Sequence, residues 1–183
     1  MGVLGLIAAA YAVQASLRMR VEEESQRLEP VLATSVGRTR WMAGHLLLAL
    51  GGPALALSAA GLAVGVTYGA VSGDLAGQVP RVLGAALAQL PAVWVLAGVA
   101  VALFGFLPRL SSLAWAGYGA VLFITLIGAL LRLGQWFNGI SPFSHLPNLP
   151  GGEAAITPFV ALTGIGALLV ASGVIGLGRR DIG

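Results

Sequence analysis

Neither cysteine nor lysine occurs among the 183 residues. Without cysteine there are no disulfides, no thiolate metal sites and no thiol catalysis. Without lysine there is no P-loop, whose lysine grips the nucleotide phosphates, and no Schiff-base chemistry. The chain therefore cannot hydrolyse ATP by a Walker mechanism by itself. Charge is also scarce: 9% of residues are charged, against about 25% in ordinary soluble domains. No Asp or Glu falls within any long apolar run, whereas proton- and sodium-coupled carriers hold ionisable groups near the bilayer midplane. GxSxG, HExxH and paired membrane acids are missing too, so the patterns that would support an embedded enzyme are not there.

What is abundant is apolar sequence. The chain is 57% hydrophobic with a mean hydropathy of +0.91, which defines an integral membrane protein. Five runs read as spans, at about 2–17, 42–71, 82–107, 110–131 and 154–178, giving an all-α polytopic transmembrane bundle of one domain over 1–183. The first run, 16 residues, reaches about 24 Å, short of a ~30 Å hydrocarbon core. We expect a span clipped at its outer end, as though the chain starts partway through a longer protein. A signal peptide cleaved near Ala10-Tyr11-Ala12 is less suitable, because no basic region precedes it. Residues 72–81 read as a short polar turn, Pro108-Arg109 as a sharp one, and Gly51-Gly52-Pro53 as a kink.

Arg18 to Trp41 is the longest charged stretch, with five of the ten arginines and four of the seven acids. Val21, Leu28, Val31, Leu32 and Val36 recur at helical spacing between the charges, and Pro30 suits the first turn of a second short helix. The spacing predicts helices over about 20–28 and 30–36. Placing this loop in the cytoplasm puts eight arginines inside and two outside, the orientation that the positive-inside rule favours. The N-terminus then lies outside, the C-terminus in the cytoplasm, and residues 132–153 form an external loop rich in proline and aromatics. The same topology accounts for the net charge of +3 without nucleic acid, since the arginines flank spans instead of forming one basic face. The loop is a candidate docking surface for a cytoplasmic partner, with a merely solvated loop as the alternative.

Other residues carry weaker signals. Gly61, Gly65 and Gly69 form two overlapping GxxxG motifs, a face that lets a helix approach closely, either within the subunit or from a second copy. Gln89 could line a path, but a hydrogen bond to a neighbouring helix is favoured beside Pro91. His45 could sense pH, yet a hydrogen-bonded packing role is favoured. His145 has no second His or Cys nearby, so no metal or cofactor site is expected.

Three segments carry a family resemblance. EEESQRLEPVLATSVGRTRW (22–41) resembles EExxGRxExxLATxVxRxRW, with Gln26 where that pattern has Gly; SPFSHLPNLPG (141–151) is similar to SPFxHxPxxPG; and GRRDIG (178–183) closes the chain. Together they resemble the C-terminal half of a type 2 ABC exporter permease of the polyketide antibiotic exporter group. The resemblance implies a bundle in a bacterial plasma membrane, driven by a separate cytoplasmic ATP-binding subunit. That subunit would dock on the 18–41 loop through Glu22, Glu23, Glu24, Arg27, Leu28, Glu29, Leu32 and Arg38. It also implies an external segment with Ser141, Pro142, Phe143, His145, Pro147 and Pro150, an upstream permease half or second copy, and export of hydrophobic, antibiotic-like compounds. A non-transporting membrane scaffold or assembly subunit is the alternative function.

Overall fold

The computed structural model describes residues 2–24, 38–127, 139–147, 149 and 156–179. Among the described residues six helices make up the bundle: α1 (Gly2–Glu24), α2 (Arg38–Ser72), α3 (Leu75–Leu87), α4 (Leu90–Phe106), α5 (Leu113–Ile127) and α6 (Ile156–Gly178). Short 3-10 turns at Pro108–Leu110 and Pro142–His145 lie between them. No strand occurs among the described residues, and the fold is the all-α helical bundle that the apolar runs require. Gly2–Glu22, Trp41–Ser72, Leu75–Phe106 and Ile156–Gly178 are each long and apolar enough to cross a membrane. Leu113–Ile127 is a shorter apolar helix of 15 residues where described.

Three helix boundaries differ from those expected. The first span and the amphipathic segment expected from residue 20 are one helix, because the change from apolar to charged at Arg18 marks a change of surroundings and not a helix end. The candidate span Gly2–Glu22, 21 residues with Arg18, Arg20 and Glu22 at its end, reaches about 31 Å, the thickness of a ~30 Å core. The polar turn expected over 72–81 shrinks to Gly73 and Asp74. Gly73 takes φ of +73°, which glycine adopts without steric cost. Asp74 then caps α3, its carboxylate accepting from Gly77 N at 3.0 Å. The run expected as one span over 82–107 is divided at Ala88-Gln89, between α3 and α4, with Pro91 in the first turn of α4. There its missing N–H leaves no intrahelical bond unmade. At Pro53, by contrast, α2 runs on without interruption. Proline there deprives Ala49 O of its partner, and Trp94 on α4 donates its indole N–H to the adjacent Leu50 O at 3.0 Å.

Packing follows from small residues. α4 and α6 make the most extensive contact in the bundle, and they run parallel: Gly98 meets Leu169 and Gly166, and seven residues on Gly105 meets Gly173. A Cβ at Gly173 would lie 2.5 Å from Val101 O, and one at Gly105 would collide with Gly173 O. The two backbones touch. α1 packs against α2 and α4, and α3 packs chiefly on α2. Gly61, Gly65 and Gly69 all face α3, where a Cβ would lie 2.8 Å from Ala86 Cβ, 3.1 Å from Val79 Cα and 2.9 Å from Leu75 Cα respectively. That glycine face is filled from within the chain.

Candidate functional site

The best-defined polar cluster stands where the charged segment joins the bundle. α1 carries Glu22 two turns beyond the buried Ala15 and Ser16, so its carboxylate emerges beside the start of α2. Trp41 and His45 are four residues apart and share one face of α2. Their rings meet edge to face with centroids 4.8 Å apart. Glu22 Oε2 accepts from Trp41 Nε1 at 3.1 Å and lies 3.0 Å from His45 Nε2. The Glu22 side chain is 39% exposed and that of His45 16%. One carboxylate oxygen thus joins two helices that the segment 25–37 separates in sequence.

A second tie fixes the same helix end from the other side. Arg20 Nη1 donates to Ser111 Oγ at 3.1 Å, and Ser111 Oγ donates to Pro108 O at 2.9 Å. Between these ties Met19, with no exposed surface, packs with Met42, Val101, Phe104 and Leu177. α1 therefore cannot shift at this end without disturbing α2, the turn after α4 and the end of α6.

The expected docking residues divide accordingly. Glu22 turns towards α2 and is engaged inside the chain. Glu23 and Glu24 stand in the last turn of α1 and Arg38 in the first turn of α2, but their side chains lie outside the described set. Arg27, Leu28, Glu29 and Leu32 lie outside the described residues, as does the helix expected over 30–36. At the opposite end of the bundle, Ser141 is buried with Oγ 2.9 Å from Thr125 Oγ1. Pro142 and the buried Phe143 begin the 3-10 turn. Phe143 and Gln89 together cover Gly5, whose added Cβ would lie 2.8 Å from Phe143 Cε1 and 3.0 Å from Gln89 Oε1. Gln89 is 6% exposed and faces α1 at Gly5. His145 Nδ1 lies 3.1 Å from Ser141 O, Pro147 is half-buried, and Pro150 lies outside the described residues. His145 and Pro142 edge an open groove of about 410 Å³ with Val95 and Leu162. Among the described residues no group of three His, Cys, Asp or Glu could hold a metal.

Sequence reasoning missed two features. Trp41 and His45 as joint partners of Glu22 had a partial signal, a Trp-x-x-x-His pair just after the charged loop. The α4–α6 contact had a clearer one: Gly98/Gly105 and Gly166/Gly173 repeat at seven residues, two helical turns, in separate runs.

Fold and site together define a polytopic α-helical membrane protein in which a charged helix end is fixed to the bundle at several points. Comparison with known proteins gives the family. Residues 1–177 match the family model described as multidrug efflux system permease Rv1217c, C-terminal domain, and the chain belongs to that family. It is 41% identical over 179 residues to the multidrug efflux system permease protein Rv1217c of Mycobacterium tuberculosis (strain ATCC 25618 / H37Rv). The alignment covers 98% of this chain and 33% of that relative, so the chain spans about a third of the length of the protein it matches.

Proposed function

We propose that this chain is the membrane-spanning C-terminal part of an efflux permease that exports hydrophobic, antibiotic-like compounds, as a type 2 ABC exporter powered by a separate ATP-binding subunit. The observation that carries this reading is the Glu22–Trp41–His45 tie at the root of the charged 18–41 segment, in a chain of the efflux permease family. A docking segment must be anchored if closure of an ATPase is to move spans, and this anchor reaches α1, α2 and the turn after α4. The lack of lysine and of acids within the apolar runs supports energy supplied in trans. In this reading the Glu22 end faces the cytoplasm with the C-terminus, in a bacterial plasma membrane. An upstream permease half or second copy completes the pathway, consistent with the third of the relative that this chain spans. Glu22 holds the root of the segment, while Glu23, Glu24, Arg27, Leu28, Glu29, Leu32 and Arg38 are its contacts with the partner.

The test is co-purification, in detergent, of the chain with the ATP-binding subunit encoded beside it. Charge reversal at Glu23 and Glu24, with Glu22 kept, should abolish capture and leave membrane insertion intact. Failure of the wild-type chain to capture the ATPase, even with the upstream permease half restored, would overturn the exporter reading in favour of a scaffold. Capture that survives the reversal would remove the assignment of these acids.

A further inference from the structure

We infer that the groove between α1 and α2 at the charged end is a binding site for the headgroup of an anionic phospholipid, centred on Arg18. Exposed positions on α1 fall in one stripe: Val3, Ile7, Tyr11, Gln14, Arg18 and Val21. Towards Glu22 this stripe carries Tyr11, Gln14 and Arg18, although it belongs to a helix long and apolar enough to span the membrane. Arg18 would ordinarily pair with Glu22, the acid four residues on. That acid's Oε2 is bonded instead to Trp41 and set against His45. No other partner for Arg18 occurs among the described residues. An arginine near the end of a span lies at headgroup depth and is met favourably there by an anionic lipid, and Glu22 Oε2 is engaged with Trp41 and His45.

The surroundings fit a phosphodiester with an acyl tail. Tyr11, Gln14, Ala15, Arg18, His45 and Leu48 line a groove of about 130 Å³. Tyr11 and Gln14 add neutral donors to the guanidinium. The Tyr11 ring packs on Gly52 of α2 and closes the groove on its far side. Leu48, 59% exposed, leads from the groove onto open aliphatic surface at Leu47 and Leu55, where a tail would lie. Basic pockets between spans bind anionic headgroups by this combination of charge and apolar wall. The inference does not depend on what the protein transports or on what drives it.

Native mass spectrometry of the detergent-purified chain, titrated with phosphatidylglycerol and with phosphatidylcholine, tests it. Wild type should bind phosphatidylglycerol about five-fold more tightly, the preference one arginine supplies at a membrane surface. Arg18→Gln should erase that preference, Arg18→Lys should keep most of it, and Arg109→Gln, at an exposed arginine in the nearby turn, should leave it unchanged. Should Arg18→Gln not fold, Leu48→Trp fills the groove and should lower phosphatidylglycerol binding by a similar factor. An unchanged preference in Arg18→Gln, or in a folded Leu48→Trp, overturns the site. Loss of the wild-type preference in excess inorganic phosphate overturns the lipid and leaves a free anion as the occupant.

Discussion

The bundle contains two glycine-lined helix contacts built in different ways. Between α2 and α3, glycines lie on one helix only, and side chains or Cα atoms of Leu75, Val79 and Ala86 fill the space they leave. Between α4 and α6, glycines face each other, and carbonyl oxygens of one helix reach where a Cβ of the other would stand. In both cases an added methyl group meets atoms that cannot rotate away, but the approach is closer in the second: Val79 Cα lies 3.1 Å from a Cβ at Gly65, Val101 O 2.5 Å from one at Gly173. The two contacts also differ in what they hold. α3 is tethered to α2 through a two-residue turn and packs chiefly there, whereas α4 is the central helix, touching α1, α5 and α6.

The comparison breaks most readily at Gly173. Gly173→Val directs a branched side chain at Val101 O, 2.5 Å from the new Cβ, so α4 and α6 must separate. We expect a loss of about 3 kcal/mol, the upper range for overpacking, seen as early loss of helicity on heating or SDS titration in detergent. A wild-type transition for this variant would mean that the helices do not meet backbone to backbone.

Gly65→Leu acts on the one-sided contact. The added atoms meet Val79 Cα at 3.1 Å from Cβ, and the hairpin can splay without disturbing α4. The expected loss is about 2 kcal/mol, with α1–α4–α6 packing retained. If Gly65→Leu destabilises as much as Gly173→Val, the hairpin is not the separable unit described above. Asp74→Ala removes the cap at the hairpin's turn and should cost about 1 kcal/mol, measured the same way. Full stability in that variant would mean that Gly73 alone sets the turn.

The same contrast separates what was legible in the sequence from what was not. Apolar runs, the turn at Pro108-Arg109 and the charged segment can be read directly, because bilayer length and charge act residue by residue. The extent of α1 could not, since Arg18–Glu24 is charged whether or not it is helical, and the packing of Met19 and the bonds of Arg20 and Glu22 that hold it to the bundle come from residues distant in sequence. Asp74 is an ordinary helix-start signal that the polar composition around it and Pro80 obscured. GxxxG at 61–69 gave a close-packing face but not its partner, because both a neighbouring segment and a second copy satisfy the same spacing. Gln89 and His45 each carried two readings that only their neighbours distinguish: Gly5 and Phe143 for the one, Glu22 and Trp41 for the other.

Glu22→Gln should have the smallest effect on stability and the most informative one on coupling. The amide oxygen can still accept from Trp41, and the pair with His45 is partly exposed, so the structural loss should be about 0.5 kcal/mol. A force arriving through the 18–41 segment would nevertheless cross a weaker joint. If the exporter reading is right, Glu22→Gln should capture the ATP-binding subunit as well as wild type does, yet show reduced stimulation of ATP turnover by transported compounds. Reversal of Glu23 and Glu24 should instead reduce capture itself. Unchanged turnover in Glu22→Gln would make the carboxylate a packing group and move the joint to Arg20 and Ser111, the other fixed point of the same helix end.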